Sequence, residues 1–271
     1  MSILSEIAEK TKERIDLEKE RLTLAKLRET AEDLRREETL KGLGEPAFKR
    51  ALATPGMSFI CEVKKASPSK GLIAEDFPFA EIAKEYEKAG ASAVSVLTEP
   101  YYFKGSDAFL KEIRRNVAIP LLRKDFTVDP YMIYQAKVMG ADAVLLICSL
   151  LCQTELAEYR SLASELGLAA LMEAHDVEEI SMALSAGAEI IGVNNRNLKD
   201  FTVDVGNSVR LRQLVPPEVI FVSESGMKTR EDIARLEEAG VNAVLIGETL
   251  MRSADKKGML EELAGRGRRK A

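Results

Sequence analysis

Ala89-Gly90-Ala91-Ser92-Ala93-Val94 returns, with small changes, as Met139-Gly140-Ala141-Asp142-Ala143-Val144, Ala186-Gly187-Ala188-Glu189-Ile190-Ile191 and Ala239-Gly240-Val241-Asn242-Ala243-Val244. Each phrase has one reading. The glycine ends a helix, because it alone takes a left-handed backbone without strain, and a short apolar run then begins a strand. Eight such runs can be drawn along the chain: Ser58–Lys65, Ala93–Glu99, Pro120–Phe126, Ala143–Leu150, Ala169–His175, Ile190–Arg196, Val219–Ser225 and Ala243–Glu248. Their near-continuous apolar character suits strands buried on both faces, as parallel strands are. Between them, Phe79–Ala89, Tyr131–Met139, Glu155–Leu166 and Glu231–Ala239 place apolar residues three and four apart, the helical period. Asp129-Pro130 supplies an N-cap with a first-turn proline, and Thr229 with Asp232 forms a capping box. Strand and helix alternating eight times predict an α/β fold, the (β/α)8 TIM barrel.

Residues before the first run have a different texture. Ser2–Arg36 is dense in Glu, Lys and Arg, with Ile7, Ile15, Leu22, Leu24 and Leu27 spread along it. We expect an N-terminal helical extension over 1–46, laid on a barrel over 47–271. A dimerisation helix is the alternative, disfavoured because the apolar positions hold no strict heptad. The start is too charged for a signal peptide, and no apolar run is long enough to cross a bilayer, so a cytoplasmic monomer is expected, with a weak homodimer as the other outcome.

The 271 residues carry a formal net charge of −5, which argues against nucleic acid as the partner. Cys61, Cys148 and Cys152 form no CxxC pair and His175 is the single histidine, so neither a zinc site nor a disulfide framework is expected. Arg266-Gly267-Arg268-Arg269-Lys270 is taken as a solvated tail.

In a barrel of this kind, function is carried at the C-terminal ends of the strands. There, ionisable groups interrupt the apolar runs: Glu62 and Lys64 in the first, Lys124 in the third, Glu173 in the fifth, Asn194 in the sixth and Glu224 in the seventh. Side chains alternate faces, so Glu62 and Lys64 share a face, with Ile60. Periodicity alone does not say whether that face is inward. Six polar groups from five strand ends could share one mouth, where carboxylates beside lysines would be poised for proton transfer. Ser225-Gly226 and Gly247-Glu248 end the seventh and eighth runs, where such barrels hold phosphate on backbone N–H groups. Ala66-Ser67-Pro68-Ser69-Lys70-Gly71 would be a cationic flap over an anionic substrate.

Glu62-Val-Lys64-Lys-Ala-Ser67-Pro68-Ser69 resembles the signature of the indole-3-glycerol phosphate synthases of tryptophan biosynthesis. The likeness continues through Leu122-Arg-Lys124-Asp-Phe126, Glu173, Ile191-Gly-Val-Asn194-Asn-Arg196-Asn-Leu198, Ser223-Glu224-Ser225-Gly226 and Leu245-Ile-Gly247-Glu248. It implies a cofactor-free and metal-free enzyme acting on a phosphorylated small molecule. That reaction closes the ring of 1-(2-carboxyphenylamino)-1-deoxyribulose 5-phosphate with loss of CO2 and water. By the resemblance, Lys124 is the general acid, Lys64 binds carboxylate or phosphate, and the split of the acid role between them stays open. Glu173 would serve the dehydration as base or acid, with Glu62 positioning it and the lysines, and Asn194 and Glu224 would orient substrate. Ser67, Ser225, Gly226, Gly247 and Glu248 would surround the phosphate, while Phe103, Phe126 and Leu145 would wall the anthranilate ring. Arg196 matches a family arginine without a defined role. At Glu248 some members carry serine, so a hydroxyl donor is missing here.

Two rivals are open at this level. Phosphoribosylanthranilate isomerase, a phosphate-binding barrel of the same pathway, would use a first-strand cysteine as base, but Cys61 alternates away from Glu62 and Lys64. A catalytically silent barrel would have lost part of the acid/base set, and every member is present.

Overall fold

The computed structural model describes residues 3–197 and 200–266; Leu198, at the end of the Ile191-Gly-Val-Asn194 motif, and the basic tail beyond Arg266 lie outside them. Helices α1 (Ile3–Arg21), α2 (Leu24–Leu40) and α3 (Ala47–Leu52) precede strand β1 (Ser58–Val63). The short strands β2 (Ala66–Ser67) and β3 (Gly71–Leu72) follow, then α4 (Phe79–Lys88), β4 (Ala93–Leu97), α5 (Asp107–Asn116), β5 (Leu121–Lys124), α6 (Pro130–Met139) and β6 (Ala143–Ile147). The chain continues through α7 (Gln153–Glu165), β7 (Ala169–Ala174), α8 (Val177–Ser185), β8 (Ile190–Asn194), α9 (Gly206–Arg212), β9 (Ile220–Glu224), α10 (Arg230–Glu238) and β10 (Ala243–Ile246), ending with α11 (Glu248–Arg252) and α12 (Lys256–Leu263). Eight parallel strands close in the order β1-β10-β9-β8-β7-β6-β5-β4.

The local signals are present where the sequence put them. Gly90, Gly140, Gly187 and Gly240 have φ of 87°, 86°, 78° and 79°, ending α4, α6, α8 and α10. Asp129 accepts from the Tyr131 amide, and the Thr229–Asp232 capping box is formed. Several strands are shorter at their ends than the apolar runs suggested: the second stops at Leu97 rather than Glu99, and the fourth at Ile147 rather than Leu150. The surplus residues turn into the loops of the barrel mouth. The segment after β1 is a small antiparallel hairpin, Ala66 facing Leu72 and Ser67 facing Gly71.

Side-chain parity splits the core in two. Ile60, Leu122, Leu145, Leu171, Ile190, Val222 and Leu245 fill the barrel interior. Cys61, Val63, Val144, Met172, Ile191, Phe221 and Val244 pack outward against the helices. Ile60 is therefore an inward residue, and the question left open by periodicity is answered: Glu62 faces into the barrel, and Cys61 faces away from it. Phe48 and Leu52 of α3 join the interior cluster, and α3 is tied to the first residue of β1 through Ser58 Oγ and the Ala51 carbonyl, 3.3 Å apart. That closes the N-terminal end of the barrel.

The extension grips the other side. Lys19 meets Asp129 at 2.6 Å, the Tyr131 hydroxyl donates to the Leu22 carbonyl at 2.8 Å, and Lys137 pairs with Glu38, so α1 and α2 are bound to α6. Arg14 donates to both carboxylate oxygens of the fully buried Asp125, each at 3.0 Å. From there α1 runs across the mouth, where Ile3, Leu4 and Ile7 form part of the cavity wall. Among the described residues, no helix is long and apolar enough to cross a membrane.

Candidate active site at the barrel mouth

A cavity opens at the C-terminal ends of the strands. It is lined by Glu62, Lys64, Ser67, Phe103, Lys124, Phe126, Leu145, Glu173, Asn194, Arg196, Glu224, Ser225, Gly247 and Glu248, which is every candidate from the sequence except Gly226. Gly226 lines an adjoining recess, shared with Lys64, Arg196, Gly247 and Glu248. The reason is local: Ser225 and Gly226 have φ of 67° and 100°, so the chain turns sharply away after β9.

Lys124 is the hub. Its Nζ lies 2.6 Å from Glu173 Oε2 and 3.0 Å from Glu224 Oε2. Its side chain is 13 % exposed, the two carboxylates 5 % and 3 %. Burial opposes the ammonium charge, but Glu173, Glu224 and Glu62 outweigh it and hold the lysine above its usual range. The carboxylates respond unequally. Burial pushes Glu173 upward, but Lys124 and the nearby His175 overcome that and bring it down to about 2. Burial raises Glu224 to about 7, with the charges of Glu173 and Glu62 adding to it against the pull of Lys124. The pair therefore supplies one fixed carboxylate and one carboxyl that titrates near neutrality.

Glu62 forms a salt bridge with Lys64, two residues further along at the end of β1. Asn194 Nδ2 donates to Glu173 Oε1 at 3.3 Å, while its Oδ1 accepts from the Arg196 amide at 3.1 Å. Arg196 bonds the Phe201 carbonyl at 3.3 Å, so its guanidinium braces the loop after β8. Phe103 and Phe126 stand with ring centroids 6.0 Å apart and form an apolar stretch of the cavity wall. Lys70 of the hairpin reaches Glu248 at 3.7 Å, so the flap is latched to the start of α11.

Buried hydrogen-bond networks support several of the strand ends. Arg123 and Asp125, on either side of Lys124, point outward and lock into one network. Arg123 donates to Thr98, to the Met132 carbonyl at 2.9 Å and to Asp107 at 3.1 Å; Thr98 donates to Asp125 at 2.6 Å. Asn195, beside Asn194, binds Ser223 at 3.0 Å and the Ser225 carbonyl at 3.1 Å, and accepts from Ser208. Glu99, fully buried, accepts from the amides of Tyr101, Tyr102 and Phe103 at 2.7–2.9 Å and so sets the aromatic wall. Two glycines make room for the charges: a Cβ at Gly192 would collide with the Glu224 carboxyl, and one at Gly247 with Glu62 and Lys64.

Sequence reasoning missed several groups. Ile3, Leu4 and Ile7 come from the extension, whose path over the mouth no local pattern reveals. His175 was set aside as a lone histidine, yet its Nε2 is 3.7 Å from Glu173 Oε1. Its spacing of two from Glu173 was the available signal, since residues i and i+2 of a strand share a face.

The chain matches the family model described as indole-3-glycerol phosphate synthase over residues 4–263. It is 52% identical over 263 residues to the indole-3-glycerol phosphate synthase of Ruminiclostridium cellulolyticum, covering 97% of this chain and 99% of that one. It is 55% identical over 262 residues to the enzyme of that name from Endomicrobium trichonymphae, covering 96% and 99%. Among solved structures, it resembles a 3-hexulose-6-phosphate synthase at 14% identity, covering 78% of this chain and 100% of that one, with a TM-score of 0.62. It also resembles a thiamine phosphate pyrophosphorylase from Pyrococcus furiosus at 16% identity, covering 80% and 96%, with a TM-score of 0.59. These structural likenesses show the barrel fold alone.

Proposed function

The chain belongs to the indole-3-glycerol phosphate synthase family, and from that premise we propose how its own residues divide the work. The reaction is a carboxy-lyase step of tryptophan biosynthesis on a phosphorylated small molecule. An aromatic carbon bearing the carboxylate attacks the ketone of the ribulose chain, CO2 departs, and water is lost to form the indole. The isomerase and silent-scaffold readings are set aside by the relatives at about half identity over almost the whole chain.

Lys124 is the general acid. The observation that carries this is its Nζ between Glu173 and Glu224 at 2.6 and 3.0 Å, at the floor of a cavity with an aromatic wall. Its ammonium gives a proton to the ketone oxygen as the ring attacks, and later to the hydroxyl that leaves as water. Glu173, held low, enters as a carboxylate and is the base that takes the carbon proton when the indole forms. Lys64, neutralised by Glu62, holds the substrate carboxylate until decarboxylation removes that charge. Asn194 and Glu224 orient the sugar chain, Phe103, Phe126 and Leu145 face the aryl ring, and Arg196 keeps the β8 loop in place. The phosphate lies towards Ser67, Ser225, Gly226, Gly247 and Glu248, at the recess shared by the last two strand ends. We read the protein as a cytoplasmic monomer, because one chain supplies the whole constellation; light scattering should give a single-chain mass.

Indole absorbance after mixing with substrate tests the assignment. Lys124→Ala and Glu173→Gln should each lower kcat by about 10²-fold or more, the scale of a lost general acid or base. Cys61→Ala, altered on the helix side of β1, should change kcat less than about twofold, since it removes no contact to the mouth. Full activity in Lys124→Ala would sink the assignment.

A further inference from the structure

The stoichiometry of this reaction demands a proton from outside. The substrate carboxylate leaves as neutral CO2, so each turnover needs two protons, one for the ketone oxygen and one for the departing hydroxyl. It returns only one, from carbon. The balance is one proton taken up from water per indole formed. Yet the acid that spends the protons, Lys124, lies at the cavity floor, beneath bound substrate and the α1 cover. While the intermediate fills the mouth, a second route would be needed to recharge it.

His175 sits where that supply would run. It follows β7, and its Nδ1 lies 3.0 Å from Glu179 Oε2, whose same oxygen accepts the His175 amide at 2.8 Å. Its Nε2 is buried with no hydrogen-bond partner and is directed at Glu173 Oε1, 3.7 Å away. The other oxygen of Glu173 is the one bonded to Lys124 at 2.6 Å. The ring also lines a second opening, separate from the mouth cavity except for Ile3, Leu4, Asn194 and Arg196, and walled by Asp176, Glu179, Asn207 and Arg210. A chain of groups thus leads from that opening through imidazole and carboxylate to the general acid.

We propose that His175 is a positioning and proton-feeding residue for Glu173, drawing from the second opening the proton that the reaction consumes. The proposal rests on the role given above to Glu173. The imidazolium gives its Nε2 proton to Glu173 Oε1, leaving a neutral ring whose Nδ1–H stays on Glu179. A flip of the carboxyl then carries the proton to the Lys124 amine, restoring ammonium and carboxylate. The ring turns into the opening it already lines and takes a proton from water. No electrons change owner, and one proton crosses per cycle. The 3.7 Å gap is within reach of a small side-chain rotation; catalytic hydrogen bonds are often long before substrate binds. The charged and titratable surroundings are consistent with a protonated ring. Glu173 on β7, Glu179 and Asp176 on or capping α8, and Glu224 on β9 are acidic; Cys148 after β6 is a thiol held neutral by burial; Arg196 and Arg210 stand across the opening. Burial lowers the imidazole, but the glutamates prevail and raise it above the usual histidine value.

The experiment is His175→Ala and His175→Gln, assayed for kcat and KM across pH and against added imidazole, beside Glu173→Gln. Both histidine variants should lose about tenfold or more in kcat with KM nearly unchanged, a fraction of what a direct acid or base contributes. The wild-type decline of kcat as pH rises through the imidazole titration should vanish in both. In His175→Ala, kcat should rise with imidazole concentration, because the opening admits the free base; a purely structural defect would not respond. Should His175→Ala fail to fold, the lost pH limb in His175→Gln decides. Wild-type kcat and pH profile in the variants, or a loss indifferent to imidazole in folded His175→Ala, overturns the feed while leaving Glu173 intact. Full activity in Glu173→Gln would instead remove the reading on which it stands.

Discussion

The two oxygens of Glu224 have different surroundings. Oε2 meets Lys124, while Oε1 is buried without a hydrogen-bond partner. A buried, half-satisfied carboxylate is costly, and the group answers by holding its proton, to about 7. The folded state therefore binds this proton more tightly than the unfolded chain, and the resulting stabilisation is full below the ordinary glutamate pKa and is lost as pH rises through 7. Relative to Glu224→Gln, the wild type should lose about 2 kcal/mol of stability between pH 5 and pH 8, read from urea denaturation at each pH. Glu173, displaced downward, contributes in the opposite sense and only at lower pH, as it protonates towards 2. The identities of these carboxylates were legible in the sequence, because charges in otherwise apolar runs demand a reason. Their unequal protonation was not. It depends on which oxygen reaches Lys124, a matter of ångströms between strands that are far apart in the chain.

Strand β8 shows how an element can be shaped by what its neighbour carries. Gly192 pairs with Glu173 on one side and Val222 on the other, and its missing side chain leaves the space that the Glu224 carboxyl occupies. Gly192→Ala should keep the barrel but turn Glu224 off Lys124. We expect an unchanged far-ultraviolet circular dichroism spectrum and a kcat lower by about tenfold to a hundredfold, the scale on which misplacing a group by an ångström acts. In a sequence this glycine looks like any strand interruption. The helices were easier: caps, terminal glycines and the 3.6 period marked α4, α6, α7 and α10 almost to their ends, because those signals are local. The outward supports were hidden by parity. Arg123 and Asp125 are as charged as Lys124, and alternation says only that they oppose it, not which set is inside. Ile60 gave the answer for β1 only once the closed barrel defined an interior.

At the scale of the molecule, a buried ion pair joins the extension to the barrel. Asp125 is held ionised against burial by Arg14 and Arg123. Arg14→Ala should leave that charge with one guanidinium fewer and lower global stability by about 3 kcal/mol, seen as a shifted urea midpoint in a transition that stays single. An early separate transition for α1 and α2 would show instead that the extension is independently docked. The eight-fold repeat made the barrel legible at once. The route of α1 across its mouth was not, since amphipathic charge patterns say that a helix is covered on one side without naming the cover. Closure has a further consequence, for synthesis rather than for chemistry. Ser58–Val63 completes its pairing only with Ala243–Ile246, the last strand of the barrel to leave the ribosome, and Ile220–Glu224 waits for the same partner. Until then the nascent chain carries two open sheet edges, the kind of surface on which neighbouring chains pair. Translation that stalls before Ala243 should therefore deliver a chaperone client or an aggregate, never a smaller working barrel.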